Sequence, residues 1–194
     1  MNIKAVIFDL DGTITEPFLN FDRIREEIGL PADTGPLLEV MERMNPAERK
    51  KAEKILYKYE QAAIEHSTLN KGAAQTLKRL SQMKIHIGVL TRNTRSNASA
   101  VAKKHNIKFD AIVDRDDGPV KPDPFGVKRL CEHFKVKPQQ TLVVGDYLFD
   151  LQCAKAAGAI AVLMKNNEKS EQFSRFADFT IDSLTKIIDI INKI

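Results

Sequence analysis

Two aspartates one residue apart, Asp9 and Asp11, follow the apolar run Ala5-Val6-Ile7-Phe8 and precede Gly12. A spacing of two places both side chains on one face of a continuing strand, and Gly12 lets the chain turn sharply after them. Similar arrangements recur downstream: Ile87-Gly88-Val89-Leu90 stops at Thr91, and Leu142-Val143-Val144-Gly145 stops at Asp146, with Asp150 four residues on. Lys121 lies in the segment Pro119-Val120-Lys121-Pro122-Asp123-Pro124, whose prolines restrict the backbone. Asp9, Asp11 and Asp146, with no histidine nearby, would form a hard, all-oxygen environment suited to Mg²⁺. Clustered carboxylates repel one another without a cation, so a metal and Lys121 would offset the charge. Lys121 and the Thr91 hydroxyl then supply the donors that a tetrahedral phosphoryl group requires. Each residue alone has an ordinary reading. Asp-Gly is common turn chemistry, Thr91 is unremarkable at a strand end, Lys121 could be a solvated loop lysine, and Asp146 and Asp150 could cap a helix.

The combination gains weight from the elements that carry it. Short, β-branched and mostly non-alternating apolar runs occur at Ile3 to Phe8, Ile85 to Leu90, Ala111 to Val113, Thr141 to Gly145 and Ala159 to Leu163. Runs of this kind are buried parallel strands with helices on both faces. Helical spacing fills the intervals at Gly72 to Gln82, Ser96 to His105, Pro124 to His133 and Leu148 to Ala157, with a further candidate near Ser183 to Asn192. The alternation predicts an α/β fold, a three-layer α/β/α Rossmann-like core around a mainly parallel sheet. In such a sheet ligands bind outside the carboxyl ends of the strands, where Asp9, Thr91 and Asp146 fall.

Residues 17–70 break the alternation. Helical segments are expected at Asp22 to Ile28, Leu37 to Met44 and Pro46 to about His66, the last opening with Asn45 as N-cap, Pro46 at the first helical position and Glu48 three residues after the cap. These 54 residues read as a small helical cap inserted after the first strand, with residues 1–16 and 71–194 as the catalytic core; a longer crossover connection is the alternative. Phe18, Phe21, Arg23 and Arg25 are the cap residues placed to line a pocket.

Composition narrows the function class. The chain has 194 residues, 43% of them hydrophobic, enough for a sizeable core and a small accessory unit. The net charge of +4 comes from 30 basic and 26 acidic residues that are interspersed, which argues against nucleic acid as a partner. Cys131 and Cys153 lack CxxC spacing, so neither a disulfide framework nor a thiolate metal site is expected. No apolar run approaches the roughly 18 residues needed to span a bilayer, and the start of the sequence reads as a strand, not a signal peptide; a cytoplasmic protein, monomer or homodimer, is expected.

The chain resembles the haloacid dehalogenase-like superfamily of phosphohydrolases on four motifs in order: Asp9-Leu10-Asp11-Gly12-Thr13, Leu90-Thr91-Arg92-Asn93, Lys121-Pro122-Asp123-Pro124 and Gly145-Asp146-Tyr147-Leu148-Phe149-Asp150. It is similar above all to phosphoglycolate-phosphatase-like members with a short α-helical cap. The resemblance implies that Asp9 is the nucleophile, forming an aspartyl-phosphate. It implies that Asp11 is the acid and then the base, and that Mg²⁺ is held by Asp9, the Asp11 backbone carbonyl and Asp146. Thr91 and Lys121 would hold the phosphoryl oxygens, and Asp150 would orient the metal's waters or Lys121. Arg92 and Asn93 are close enough to Thr91 to touch phosphate or substrate. The expected activity is hydrolysis of a small phosphorylated metabolite. A sugar phosphomutase of the same superfamily and a non-catalytic interaction module are the alternatives; Asp11 argues against the metal-free dehalogenase branch.

Overall fold

The computed structural model describes residues 2–166 and 168–194. Six parallel strands form one sheet: β1 (Ala5–Phe8), β2 (His86–Leu90), β3 (Ala111–Val113), β4 (Thr141–Gly145), β5 (Ile160–Met164) and β6 (Phe179–Ile181), in the order β3-β2-β1-β4-β5-β6. β1 lies at the centre with all four side chains buried, which is why it carries no polar residue until it ends. Burying side chains such as Ile7 and Phe8 contributes roughly 1.5–3 kcal/mol each.

Helices α4 (Ala73–Gln82), α5 (Arg95–Lys104), α6 (Phe125–Phe134), α7 (Leu148–Ala157) and α8 (Lys186–Lys193) complete the α/β/α layers. Ala5 and Ile7 of β1, Val143 of β4, and Ala161 and Leu163 of β5 share one core cluster with Val127 and Leu130 of α6 and Leu151 and Ala154 of α7. The two-residue spacing within each strand selects that face of the sheet.

The strand order reverses direction between β1 and β4: connections run outward through β2 and β3, then return across the sheet. At such a switch point the loops from the two central strands diverge and leave a crevice at their carboxyl ends. Phe8 pairs with both Val89 and Val144, so β1, β2 and β4 end level with one another. Asp9, Thr91 and Asp146 therefore leave the sheet from three adjacent strands along one edge.

By its internal contacts the chain divides into two compact units, Met1–Pro17 with Thr68–Ile194, and Phe18–Ser67. The second unit holds three helices, α1 (Phe21–Ile28), α2 (Leu37–Glu42) and α3 (Pro46–His66). Its own core is Ile24, Leu37, Met41, Ala52 and Leu56. Asn20 caps α1 through the Arg23 N–H, and Asn45 caps α3 through the N–H groups of Ala47 and Glu48. Lys58 and Tyr59 of α3 both meet the Glu27 carboxylate of α1, at 3.0 and 2.7 Å. Among the described residues no helix is long and apolar enough to cross a membrane.

Candidate active site

The first loop is built to hold two carboxylates at the carboxyl end of β1. The Asp9 N–H continues the β ladder by donating to the Val144 carbonyl at 2.9 Å, after which Ile14 and Thr15 both donate to the Leu10 carbonyl at 3.0 Å and fold residues 10–15 into a tight turn. Gly12 has φ +93°, and a Cβ there would stand 2.5 Å from Asp146 Oδ2. Glycine is thus required twice over, by a left-handed backbone and by the carboxylate that occupies the space a side chain would need. Thr13 closes the contact by donating from Oγ1 to Asp146 Oδ1 at 3.1 Å.

Asp150 serves both its own helix and the site. Its Oδ2 accepts from the Tyr147 N–H at 3.0 Å, capping the first turn of α7, while its Oδ1 lies 2.6 Å from Lys121 Nζ. Gly145 makes this possible, because a Cβ on residue 145 would fall 2.1 Å from the Asp150 carboxyl carbon. On its other side Lys121 Nζ donates to Asp9 Oδ1 at 2.5 Å.

Thr91 continues β2 toward β3, its N–H donating to the Val113 carbonyl at 3.1 Å, and its Oγ1 accepts from the Asn93 N–H at 2.9 Å. An accepting hydroxyl keeps its single hydrogen for another oxygen, as phosphoryl binding requires. Asn93 turns its side chain to Asp11, donating from Nδ2 to Oδ2 at 3.1 Å. Arg92 donates to the backbone carbonyl of Lys121, and its guanidinium carbon sits 5.2 Å from the centre of the Phe149 ring. The two residues expected at phosphate or substrate therefore also brace other members of the site.

Ligand oxygens of Asp9, Asp146 and Asp150 lie within 4.8 Å of one another. The Asp11 side chain stands outside that trio, its Oδ2 accepting from Asn93, so its carboxylate is not part of the ligand cluster.

Electrostatics follow from four carboxylates around one ammonium. Burial opposes the charged form of Lys121, but Asp150 and Asp9 outweigh it and hold the ammonium well above the ordinary lysine range. Burial raises Asp9 well above the usual carboxylate range, with Lys121 pulling the other way and the neighbouring aspartates adding to the rise. Asp146 is pushed up to about 6, by burial first and then by Asp150. Asp11 is raised by burial and partly restrained by its hydrogen bond from Asn93. A further cation beside the cluster would relieve this mutual repulsion and favour the ionised carboxylates. The all-oxygen donor set, the trio within 4.8 Å and the missing side chain at residue 12 fit a small hard cation such as Mg²⁺.

The model of the haloacid dehalogenase-like hydrolases matches residues 3–158, most of the chain and all four motifs. The chain belongs to that family. A haloacid dehalogenase-like hydrolase domain-containing protein of Arabidopsis thaliana is 28% identical over 208 aligned positions, covering 97% of this chain and 84% of the relative. A pyrophosphatase of Bacillus mycoides is 27% identical over 218 positions, covering 100% of this chain and 99% of its own. The crystal structure of a predicted phosphoglycolate phosphatase from Haemophilus somnus superimposes with a TM-score of 0.75 at 21% identity, covering 97% of each chain, a likeness of fold. Phosphoglycolate phosphatases stand among the proteins this hydrolase is similar to, as its motifs lead one to expect.

Three polar residues around the first loop escaped the sequence reading. Thr13 bonds Asp146 as described, and Asn70 and Asn166 both donate their side-chain N–H groups to the Gly12 carbonyl, Asn70 at 3.2 Å. Asn166 also bonds Asp146. It stands two residues beyond the end of β5, so the strand-end rule that found Asp9, Thr91 and Asp146 would have found it too.

Proposed function

We propose that this family hydrolase is a Mg²⁺-dependent phosphatase acting on a small-molecule phosphomonoester through an aspartyl-phosphate on Asp9. The observation that carries the reading is the Lys121 ammonium held between Asp9 and Asp150, at 2.5 and 2.6 Å, beside Asp146. A lysine so placed neutralises the nucleophile and offers a third donor direction to an incoming phosphoryl oxygen.

Asp9, Asp146 and the Asp11 carbonyl would hold the metal, which supplies the positive charge that lets a phosphate dianion approach a carboxylate. The remaining steps belong to the chain. An Asp9 carboxylate oxygen attacks phosphorus and the ester P–O bond breaks. Its electron pair goes to the leaving oxygen, which takes the proton of the Asp11 carboxyl. Water then attacks the phosphorus of the aspartyl-phosphate, giving its proton to the Asp11 carboxylate, and inorganic phosphate leaves as Asp9 regains its carboxylate. One carboxyl acts as acid and then base, and burial, which raises Asp11, favours the protonated form that the first step needs. Thr91 and Lys121 hold the phosphoryl oxygens throughout.

The inserted helical unit Phe18–Ser67 is assigned the choice of substrate, since the residues of the core address only the phosphoryl group. The test is a phosphate-release screen of the purified protein over a panel of phosphomonoesters and pyrophosphate, with Mg²⁺ and with chelator. The reading predicts Mg²⁺-dependent release from one class of small phosphomonoester. Release from pyrophosphate alone, or full turnover in chelator, would overturn the substrate class or the metal, respectively.

A further inference from the structure

Asn97 lies in the first turn of α5 and is only 4% exposed. An asparagine is a poor choice for a buried helical position if packing is all that is required, because its amide must find partners or cost about 1–3 kcal/mol. Here Asn97 Nδ2 donates to Asn93 Oδ1 at 2.7 Å. The same oxygen accepts from the Thr94 N–H at 2.8 Å. With both donors on its carbonyl end, the Asn93 amide has one workable orientation: its NH₂ end faces the other way, to Asp11 Oδ2 at 3.1 Å. Turning the amide over would set its NH₂ against two donors and its oxygen against a carboxylate.

We propose that Asn97 and Asn93 form an amide relay that positions the Asp11 carboxyl for proton transfer, with Asn97 as the positioning residue that fixes the direction of the Asn93 amide. The inference rests on the proposed phosphatase mechanism, in which Asp11 gives its proton to the leaving oxygen. The relay also explains why Thr91 and Asp11 are spatially coupled: the Asn93 backbone N–H holds Thr91 Oγ1 while its side chain holds Asp11, so one residue sets the spacing between phosphoryl donor and acid. A displaced carboxyl harms an ester whose leaving group needs a proton far more than one whose leaving group departs as a stable anion.

The experiment compares the phosphorylation step on a simple alkyl phosphate with that on 4-nitrophenyl phosphate by rapid quench, in the full-length protein with Mg²⁺. The variants are Asn97→Leu, which removes the amide at similar volume, and Asn97→Asp, an isostere whose ionised carboxylate cannot donate to Asn93 Oδ1. The expected result in both is a fall of about tenfold in the alkyl-to-aryl rate ratio, with KM for either ester changed by less than about twofold. The ratio is taken on one sample, so a loss of folded protein cancels from it. Equal losses on both esters, or no change, would overturn the relay. Asp11→Asn is the reference. If it shows a larger split and the Asn97 variants show none, only the relay fails; if it shows no split, the acid role of Asp11 fails and the relay with it. In the double variant Asn97→Leu with Asp11→Asn, the ratio should fall no further than in Asp11→Asn alone.

Discussion

Lys121 Nζ lies 2.6 Å from Asp150 Oδ1, and both side chains are only 4% exposed. Asp9 completes the ammonium's surroundings, so this buried lysine is the counterion of two aspartates, one at the end of β1 and one in the first turn of α7. Replacing it with an apolar residue of similar length leaves both uncompensated. Lys121→Met should lose about 3–5 kcal/mol of stability in chelator, read by urea denaturation, and part of the loss should return on adding Mg²⁺. Its turnover should fall by about 10²–10³ even with saturating metal, because a phosphoryl donor is gone.

Gly12 is the position where the backbone and the Asp146 carboxylate compete for the same space. Gly12→Ala must place a Cβ in a left-handed backbone and against the Asp146 carboxylate, 2.5 Å away. The expected cost to stability is about 1–3 kcal/mol, since strain at such a backbone position is rarely relieved. The sharper consequence is displacement of Asp146, so Mg²⁺ affinity measured by calorimetric titration should fall at least tenfold while Lys121 and Asp150 remain paired.

Asp146 sets the sign of the pH dependence in chelator. Its carboxyl titrates at about 6 in the fold against an ordinary 3.8, so between those values the folded state binds more protons than the unfolded one. Its contribution to stability is then complete below about pH 4 and is lost as pH rises through about 6. Asp146→Asn, which cannot ionise, should match the wild type near pH 4 and exceed it near pH 7 by on the order of 1–3 kcal/mol in chelator. With Mg²⁺ the order should reverse at pH 7, because on this account the metal would bind the carboxylate. Thermal denaturation of both proteins across this range, with and without the metal, checks both signs.

Within the helical unit, structure separates residues that the sequence grouped together. Arg25 ties Asp22 to the Gly35 carbonyl, at 3.3 and 3.0 Å, so it holds α1 to the loop that follows it. Phe21 is 46% exposed, and Arg23 lines an open depression with Asn20, Glu26 and Leu30. Arg25→Ala should lower stability by about 1 kcal/mol and affect all substrates alike. Phe21→Ala and Arg23→Ala should instead change the ranking of phosphoesters while leaving 4-nitrophenyl phosphate turnover within about twofold, as kcat/KM over the panel will report.

The candidate active-site edge was legible because parallel strands of a doubly wound sheet end on one side: once the apolar runs before Asp9, Thr91 and Asp146 were read as strands, their convergence followed. Lys121 was legible only through its proline-rich motif, and its double pairing required the Gly145 backbone to make room for Asp150. β6 was missed because Phe179–Ile181 is three residues with a polar one in the middle, too short to show a pattern. Asn70 and Asn97 look like ordinary turn or cap residues in the sequence; Asn93 is expected at phosphate or substrate, not at Asp11, and Asn166 only marks a strand end. The bonds of Asn70 and Asn166 to the Gly12 carbonyl and of Asn93 to Asp11 join residues far apart in the chain, which no local spacing encodes.

The most direct test of the central claim is the identity of the covalent intermediate. Protein quenched during turnover with Mg²⁺ and 4-nitrophenyl phosphate, treated with borohydride to reduce any acyl phosphate, should yield a peptide in which residue 9 has become homoserine. Asp9→Asn should show no reduction product and no burst of 4-nitrophenolate. A homoserine at any other acidic residue, or steady turnover of the wild type with residue 9 unchanged, would contradict the assignment of Asp9 as the nucleophile.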